Sequence, residues 1–411
     1  MSAQIFKGYR LDKEDRKLAP SRRVYGCASA RTTAQKKLPK LIFDFIDGAA
    51  GRETGLKNNQ AAFDRLKLKP RVLSKTTTQS LATEFLGQSY NLPFGIAPMG
   101  MCNLSHPRAD YLMAQTAQRL KFPVALSSAG SSSIEDMRKW AGDNAWFQLY
   151  VTPPMDHSLS LVQRAQDAGY RNLILTVDVP KVSRRLRDIK NGFQMPFKLR
   201  TRQFIDFATH PVWSLRLLAA GTPKPVNFPQ NGLGFDRDAS RAMADWDFLA
   251  RLRDQWQGNL IVKGVTAPED ALRIKSMGAD AVYVSNHGGR QLDSVPASID
   301  LIRPIREAVG REYPLAFDSG VRDAEDILKA LASGADFVML GRPNLFALAA
   351  DGAAGLESLY AALQYDLSVA MAQIGVETIG QIGPHNLIEE TQMMTAHTDA
   401  AASANAKGKK P

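Results

Sequence analysis

The sequence predicts an α/β protein, a (β/α)8 TIM barrel with a long segment inserted after the fourth strand. Three observations carry this prediction. Eight short apolar runs alternate with helical patterns, which is the order that produces a parallel sheet. All but one of the steps between successive runs cover roughly 22 to 33 residues, a spacing typical of barrel units. The runs end in polar residues or glycines, where the active sites of such barrels lie.

The eight strands are predicted from apolar runs bounded by turn signals. They are Phe94–Ala97, Val124–Leu126, Ala145–Tyr150, Asn172–Val177, Leu260–Val262, Ala281–Val284, Pro314–Phe317 and Phe337–Leu340. Helices are expected between them at Asp110–Leu120, Ser158–Ala168, Pro268–Met277 and Asp323–Ala332. Pro268 and Asp323 stand where two of these helices begin. Glycines stand where three of them end, at Gly169, Gly278 and Gly334.

The fourth and fifth strands are roughly 90 residues apart, and the excess, residues 188–236, is predicted to be an insertion. It carries six Lys and Arg against three Asp and is rich in aromatic and aliphatic side chains. Such a segment can lie in a membrane interface. It can equally form a substrate lid or a contact between subunits, and the sequence leaves these alternatives open.

The barrel domain is predicted to span residues 37–386, between a basic N-terminal extension (1–36) and a flexible C-terminal tail (387–411). Of the net charge of +11, most lies near the N-terminus, where the first 40 residues hold eleven Lys and Arg against three acids. This uneven distribution argues against nucleic acid as a partner. Two alternatives remain for the basic N-terminal segment: it is a solvated arm, or it contacts an anionic membrane surface.

Two cysteines, Cys27 and Cys102, cannot form a disulfide framework, so a reducing compartment is expected. The sequence contains no apolar run long enough to span a bilayer and no apolar signal-peptide core. Acidic residues precede the basic segment 21–40, which argues against a transit peptide. We therefore expect a cytoplasmic protein, with a peripheral position on the inner face of the cell membrane as the alternative.

The string SNHGGRQLD (residues 285–293) follows the sixth strand and is better suited to a site than to a core. Gly288 and Gly289 allow the backbone to turn sharply and a ligand to approach closely. His287 can exchange a proton near neutral pH, and Arg290 offers a planar fork of donors to a carboxylate or phosphate. The string suggests an anionic substrate that loses a proton, although a lone histidine after a strand is more often structural.

Polar residues or glycines also follow the other seven strands. In strand order they are Pro98-Met99-Gly100, Ser127-Ser128, Gln148 with Tyr150, Thr176 with Asp178, Lys263, Asp318-Ser319-Gly320 with Arg322, and Gly341-Arg342. Packing alone does not explain them, because a buried polar group without a partner is costly. The last two strand ends are typical of a phosphate site, where backbone N–H groups and arginines face an anion. Lys263 needs an anionic partner, which a barrel carboxylate would also provide.

The string and its companion motifs resemble those of the FMN-dependent 2-hydroxy acid dehydrogenases and oxidases, which include glycolate oxidase, flavin-type lactate dehydrogenases and mandelate dehydrogenase. The similarity runs from about Lys37 to about Pro384. The motifs are TVDVP (176–180), RRLRDIKNGF (184–193), IVKG (261–264), FDSGVR (317–322) and LGRP (340–343). The resemblance implies FMN as cofactor, no metal, and oxidation of an (S)-2-hydroxy acid to the 2-oxo acid. A homotetramer is common in the family, so a homo-oligomer is expected.

The resemblance also implies roles for the matching residues. His287 would be the base, Asp178 would hold its imidazole, and Tyr150 would hydrogen-bond near the substrate hydroxyl. Arg185 and Arg290 would clamp the substrate carboxylate. Flavin contacts are implied for Pro98, Met99, Gly100, Ser127, Gln148, Thr176, Lys263, Ser285, Asp318, Ser319, Gly320, Arg322, Gly341 and Arg342.

Four positions bear on the substrate, on the binding of FMN or on the electron acceptor. Phe45 stands where the family has a tyrosine that helps to bind the substrate carboxylate, so a donor is missing. Ala129 replaces a tryptophan of glycolate oxidase, which predicts a preference for bulky 2-hydroxy acids over glycolate. Ser319 replaces a glycine but can still donate to phosphate. Gly100 stands where typical oxidases have alanine, which hints at a dehydrogenase.

The leading prediction is therefore a dehydrogenase that passes electrons from reduced FMN to a quinone, a cytochrome or another carrier. The alternative is an oxidase that uses oxygen and produces hydrogen peroxide. Another FMN barrel, such as an isomerase, would not need His287, Arg290 and Asp178 together. A non-catalytic binder of anions or nucleic acid would leave the polar strand ends unexplained.

Overall fold

The predicted barrel is present. The computed structural model describes residues 20–195, 197, 200–228 and 241–389. Within them, eight parallel strands form a closed barrel in which each strand pairs with the next along the chain and the eighth pairs with the first. The (β/α)8 TIM barrel with an insertion after its fourth strand is therefore confirmed.

The elements are numbered in chain order. The strands are β1 (Leu66–Leu68), β2 (Thr83–Phe85), β3 (Gln88–Tyr90), β4 (Phe94–Met99), β5 (Val124–Ser127), β6 (Ala145–Leu149), β7 (Asn172–Thr176), β8 (Asn259–Val265), β9 (Ala281–Val284), β10 (Leu315–Phe317), β11 (Phe337–Leu340) and β12 (Leu387–Glu389). The α-helices are α1 (Cys27–Lys37), α2 (Lys40–Asp47), α3 (Thr54–Arg65), α4 (Ala109–Leu120), α5 (Ile134–Ala141), α6 (Met155–Asp167), α7 (Leu186–Asn191), α8 (Thr201–Ala208), α9 (Pro211–Ala220), α10 (Trp246–Gln255), α11 (Pro268–Ser276), α12 (Ser298–Val309), α13 (Ala324–Ala332) and α14 (Arg342–Gln373). The barrel strands are β4 to β11, which correspond to the eight predicted runs.

Most of the predicted helix boundaries agree with the local capping, but α6 begins at Met155, three residues before the predicted Ser158. The Asp323 carboxylate accepts a hydrogen bond from the Asp326 N–H at 3.0 Å and so caps α13. Pro268 is the first residue of α11, where its missing N–H costs nothing. Glycines with positive φ follow α6, α11 and α13, at Gly169, Gly278 and Gly334.

Apolar side chains fill the barrel below its C-terminal end. Trp146, Tyr283 and Phe337 are fully buried there. The hairpin β2–β3 packs Phe85 and Tyr90 against them, and the Trp146 indole N–H lies 3.2 Å from the Tyr90 hydroxyl. Since the lower half of the barrel is filled, the polar ends of the strands are left to form a site.

The N-terminal helices cover the barrel from outside. Helix α1, which falls within the predicted extension 1–36, packs on α14 and fully buries Ala30 and Ala34. Strand β12, at the start of the predicted tail, pairs antiparallel with β1. The rest of the extension and tail, residues 1–19 and 390–411, lies outside the described residues.

The insertion contributes α7, α8 and α9, while its predicted last part, residues 229–236, lies outside the described residues. Trp213 of α9 is buried and donates from its indole N–H to the Leu104 carbonyl at 2.8 Å, which holds the insertion on the loop after β4. Phe204, Leu215 and Leu218 are 63%, 65% and 79% exposed. Among the residues described, no helix is both long and apolar enough to cross a membrane.

Candidate active site

A cavity of about 1070 Å³ lies at the C-terminal end of the barrel. The predicted site residues that line it are Phe45, Pro98, Met99, Gly100, Ala129, Tyr150, Arg185, Lys263, His287, Arg290, Asp318, Ser319, Gly320, Arg322, Gly341 and Arg342. The remaining ones, Ser127, Gln148, Thr176, Asp178 and Ser285, lie behind this lining and hydrogen-bond to it or to each other. The strand ends thus bring residues that are distant in sequence to one place.

His287 lies between an acid and a phenol. Its Nδ1 is 3.1 and 3.2 Å from the two carboxylate oxygens of Asp178, and its Nε2 is 3.3 Å from the Tyr150 hydroxyl. Because a carboxylate only accepts, Nδ1 carries the proton and donates to Asp178. Burial, and after it the Asp178 charge, raises the pKa of Tyr150 to about 12, so its hydroxyl stays protonated at neutral pH. Nε2 is therefore the atom that can take up a proton.

A glycine makes room for Asp178. Gly264, the last residue of the IVKG motif, has a φ of +102°, and a Cβ on it would lie 2.5 Å from the Asp178 Cβ. Any side chain at this position would displace the carboxylate from His287. The close approach explains why strand β8 contains a glycine directly after Lys263.

Buried amides hold the turn that carries His287. The side chains of Asn286 and Asn59 exchange two hydrogen bonds of 2.7 and 2.8 Å, and the Asn286 oxygen also accepts from the Gly289 N–H at 3.2 Å. A Cβ on Gly289 would lie 2.6 Å from the Leu56 nitrogen, so only glycine fits against α3. His287 itself has a φ of +58°, a strained conformation that these contacts enforce.

The aspartate at the end of the string caps a neighbouring helix. Asp293 accepts hydrogen bonds from the N–H groups of Arg52 and Gly55, both at 2.9 Å, at the start of α3. Its task is therefore to fix α3 against the string, and it does not line the cavity.

Lys263 lies in a buried network with one carboxylate. Its Nζ is 3.1 Å from Asp318 and 2.7 Å from the Ser285 hydroxyl, which donates to Asp318 at 2.5 Å. Burial alone would raise the pKa of Asp318, but Lys263 and hydrogen bonds from Ser285, Ser319 and Tyr283 outweigh it and hold that pKa below its ordinary value. Lys263 and Asp318 thus form an ionised pair at the cavity wall.

Three polar side chains form a chain behind the wall. The Ser127 hydroxyl donates to the Gln148 oxygen at 2.7 Å, and the Gln148 amide donates to the Thr176 hydroxyl at 2.9 Å. All three are buried. The chain crosses the ends of β5, β6 and β7, so it satisfies these groups while fixing their orientation toward the cavity.

Arg322 follows β10 and Arg342 follows β11. Among the described residues, neither has a carboxylate within salt-bridge distance. Arg342 donates to the carbonyls of Ile46, Gly48 and Gly288 at 3.0, 2.8 and 3.0 Å. Burial, and then the nearby charge of Arg322, lowers the pKa of Arg342 to about 9. An anion such as phosphate beside these two groups would relieve their repulsion.

Arg241 belongs to the cavity although sequence reasoning missed it. It is 5% exposed, and its guanidinium carbon lies 5.2 Å from the centroid of the Tyr150 ring. It directly follows the insertion, in a stretch without a motif. What distinguishes Arg241 is that its side chain is buried, and the sequence does not show which arginines are buried.

The lining of the cavity includes aromatic residues and small residues. The rings of Phe45 and Phe193 stack with centroids 4.2 Å apart and planes 5° apart. Gly100 and Ala129 also line the cavity, and a Cβ on Gly100 would lie 3.3 Å from the Ala129 carbonyl, so these two small residues are in close contact. This part of the lining is apolar and can receive the side chain of a substrate.

The chain is similar to known proteins in both sequence and fold. The model of the FMN-dependent dehydrogenase family matches residues 34–389. The chain is 35% identical over 386 residues to (S)-mandelate dehydrogenase of Pseudomonas putida, covering 92% of this chain and 98% of the relative. It is 35% identical over 372 residues to an L-lactate dehydrogenase of Xanthobacter autotrophicus, covering 88% and 96%. A crystal structure described as the monotopic membrane protein (S)-mandelate dehydrogenase superposes with a TM-score of 0.85 at 35% identity, covering 89% of this chain and 100% of that one.

Proposed function

We propose, from the fact that this chain belongs to the FMN-dependent dehydrogenase family, that it oxidises an (S)-2-hydroxy acid of the lactate or mandelate kind to the 2-oxo acid, with His287 as the base. FMN is the cofactor, as in the family. The observation that carries the proposal is the His287 imidazole between Asp178 and Tyr150, in the cavity that also holds Lys263 and Arg342.

The residues present fit FMN. The buried guanidinium of Arg342 has Arg322 as a neighbouring like charge, which an anionic phosphate would balance. Gly320 has a φ of +96°, which lets backbone N–H groups turn toward an anion. Lys263 would neutralise negative charge on the ring, and when bound, FMN supplies the acceptor for two electrons.

The substrate would be held by its carboxylate and lose a proton to His287. Arg290 and Arg185 both line the cavity and would bind the carboxylate. The Nε2 of His287 would accept the proton, and Asp178 would stabilise the imidazolium through Nδ1–H. Tyr150, protonated and close to Nε2, would donate to the substrate oxygen.

The apolar part of the cavity lining supports a preference for bulky substrates. The stacked rings of Phe45 and Phe193 give the cavity an apolar surface, and the small residues Ala129 and Gly100 in the same lining leave space for a substrate side chain. A phenyl or long aliphatic side chain would bury apolar area there, whereas glycolate has no side chain to bury. We therefore propose higher catalytic efficiency with mandelate-like acids than with glycolate.

The surface of the insertion supports an electron carrier at a membrane. Phe204, Ile205, Val212, Leu215 and Leu218 are exposed on α8 and α9. The cations Arg200, Arg202 and Arg216 are exposed beside them. An apolar face bordered by cations suits an anionic bilayer surface, where a quinone would be available. We propose a peripheral membrane position and transfer of electrons to a quinone or another carrier.

Anaerobic flavin spectroscopy tests the function. (S)-Mandelate, (S)-lactate and glycolate are added in turn to the oxidised protein, and then air is admitted. Bleaching by mandelate or lactate, with slow recovery in air, is expected. Fast recovery with hydrogen peroxide would favour the oxidase, and a flavin that none of the three acids bleaches would contradict the proposed substrate class.

A further inference from the structure

The last turn of α2 receives two arginines of the cavity. Arg290 donates to the carbonyls of Phe45 and Gly48 at 3.0 and 2.6 Å. Arg342 donates to the carbonyls of Ile46 and Gly48 at 3.0 and 2.8 Å. Carbonyls at the C-terminus of a helix lack partners within the helix and carry partial negative charge, so they bind guanidinium groups well. The position of α2 therefore sets the position of both groups.

From the segment after β7, the side chain of Arg187 reaches the same turn. One of its terminal nitrogens lies 2.9 Å from an Asp47 oxygen and 3.4 Å from an Asp44 oxygen, and the other hydrogen-bonds to Glu53. The three carboxylates are 7%, 8% and 14% exposed at Asp44, Asp47 and Glu53. A planar fork can join three carboxylates in this way, whereas a single ammonium group cannot hold the same geometry.

The segment that carries Arg187 also carries Arg185, two residues before it. The Gly51 N–H donates to the Arg184 carbonyl at 3.1 Å, and Gly51 forms a bridge with Arg185. The Asn191 amide donates to Asp44 at 2.7 Å. One segment thus contributes Arg185 to the cavity and holds the helix on which Arg290 rests.

The contacts of Arg187 are between charged groups. Burial would raise the pKa of Asp47, but Arg31 and Arg187 outweigh it and hold that pKa below its ordinary value. The carboxylate is therefore ionised at neutral pH. Its attraction to Arg187 is screened less than on an open surface, because Asp47 is buried.

Helix α2 has a second attachment that does not involve Arg187. The Asp206 carboxylate of α8 accepts hydrogen bonds from the N–H groups of Lys40 and Leu41 at 3.0 and 3.1 Å. Leu41 and Ile42 are buried in the core. Loss of Arg187 should therefore shift the last turn of α2 without releasing the helix.

We propose that Arg187 is a positioning residue that sets the distance between Arg185 and Arg290 and thereby the affinity for the substrate carboxylate. The inference rests on the proposed function, because it takes these two arginines as the carboxylate clamp. Two arginines that bind one carboxylate require a fixed separation, because charge-assisted hydrogen bonds to both carboxylate oxygens depend on geometry. Arg187 controls this separation because it touches the supports of both.

The test compares Arg187→Lys and Arg187→Met with the wild-type protein. KM and kcat are measured with the acid that reduces the wild-type flavin, and the Kd of its 2-oxo acid product is measured from the flavin spectrum. Arg187→Lys is expected to raise both KM and Kd about tenfold or more, while kcat changes less than about threefold, because binding is lost equally in ground and transition states. Arg187→Met should raise them further.

Arg164→Lys is the matched control, since Arg164 also binds a carboxylate through two nitrogens, at 3.0 and 2.8 Å from Glu135, far from the cavity. It should leave KM and Kd unchanged. A KM and Kd within about twofold of wild type in Arg187→Lys would overturn the inference, as would a fall in kcat alone. Failure of every 2-hydroxy acid to reduce the wild-type flavin would instead overturn the proposed function, and the inference with it.

Discussion

Phe45 stands where the resemblance to the family leads us to expect a tyrosine on the substrate side. Its ring lies 5.5 Å from the Arg290 guanidinium carbon and stacks on Phe193. Its backbone carbonyl accepts from Arg290 at 3.0 Å. Phe45 thus supports the arginine without offering a hydroxyl of its own to a carboxylate.

Phe45→Tyr is expected to lower KM for the 2-hydroxy acid about three- to tenfold. The added hydroxyl would donate to the substrate carboxylate, and a typical hydrogen bond contributes about 0.5–1.5 kcal/mol net, which corresponds to this range. Steady-state kinetics and the Kd of the 2-oxo acid measure the change. An unchanged or higher KM would mean that the arginines alone bind the carboxylate here.

Individual residues of the site were predictable where a local pattern marks them. The string at residues 285–293 pointed to His287 and Arg290, and the strand ends pointed to Lys263 and Asp318. The pairing of Asn286 with Asn59 was not predictable, because the two are 227 positions apart and an asparagine has many possible partners. Arg241 and Arg187 were missed for the same reason, since their importance depends on burial and on distant carboxylates.

At the scale of elements, α8 and α9 each expose a row of apolar side chains and bury others. The aromatic residues Phe193, Phe197, Phe207 and Trp213 pack in sequence beneath them, with neighbouring ring centroids 5.2 to 6.2 Å apart. The exposed face therefore lies over a layer of packed aromatic rings. An exposed apolar face of this kind indicates an interaction surface.

Replacing Phe204, Leu215 and Leu218 by serine is expected to lower the partitioning onto anionic lipid vesicles at least about a hundredfold. Each large apolar side chain contributes about 1.5–3 kcal/mol when fully buried, and partial insertion gives less. Cosedimentation with phosphatidylglycerol vesicles measures it, while anaerobic flavin reduction should stay unchanged.

Val72→Ser with Leu272→Ser is the matched control, because these apolar residues are also exposed but lie elsewhere, at 86% and 47%. This variant should bind vesicles as the wild type does. Equal vesicle binding by the triple variant would contradict a membrane role for the insertion and favour a lid or subunit contact.

Elements were predictable to the extent that apolar periodicity marks them. The barrel strands stood out because they are short, apolar and bounded by turns. Helix α1 did not, because its buried face consists of small residues such as Ala30 and Ala34, which carry little hydrophobic signal. The presence of the insertion was visible from spacing, but the face that α8 and α9 expose depends on where Trp213 packs.

At the scale of the whole molecule, one buried carboxylate makes stability depend on pH. Burial, and after it the Asp323 charge, raises the pKa of Asp326 from 3.8 to about 6. Because the pKa is higher in the folded state, the folded protein binds this proton more tightly than the unfolded chain does. The resulting stabilisation is fully present below the unfolded pKa and is lost as pH rises through about 6. Asp326 therefore destabilises the folded protein at neutral pH.

Asp326→Asn is expected to raise Tm relative to wild type, and the difference should grow by about 2 to 5 °C between pH 4 and pH 7. Differential scanning calorimetry of the FMN-bound protein measures it. Asp136→Asn is the matched control, since Asp136 has the same place after the cap of α5 but is exposed. A difference that is constant with pH would contradict the role assigned to Asp326.

The whole fold was predictable because eight repeated units leave few alternatives to a closed barrel. The assembly of the site at one end followed from that fold, since the carboxyl ends of parallel strands meet there. The homo-oligomer remains a prediction. The connections between α2, the insertion and the site could not be predicted, because they depend on hydrogen bonds between segments that only the folded chain brings together.

The most direct test of the whole account is anaerobic stopped-flow reduction of the flavin in His287→Gln. We expect the variant to bind FMN with an unchanged absorption spectrum and to be reduced by the wild-type substrate at least about a thousandfold more slowly, because no base remains at the position of Nε2. Reduction within about tenfold of the wild-type rate would contradict the central claim that His287 takes the substrate proton.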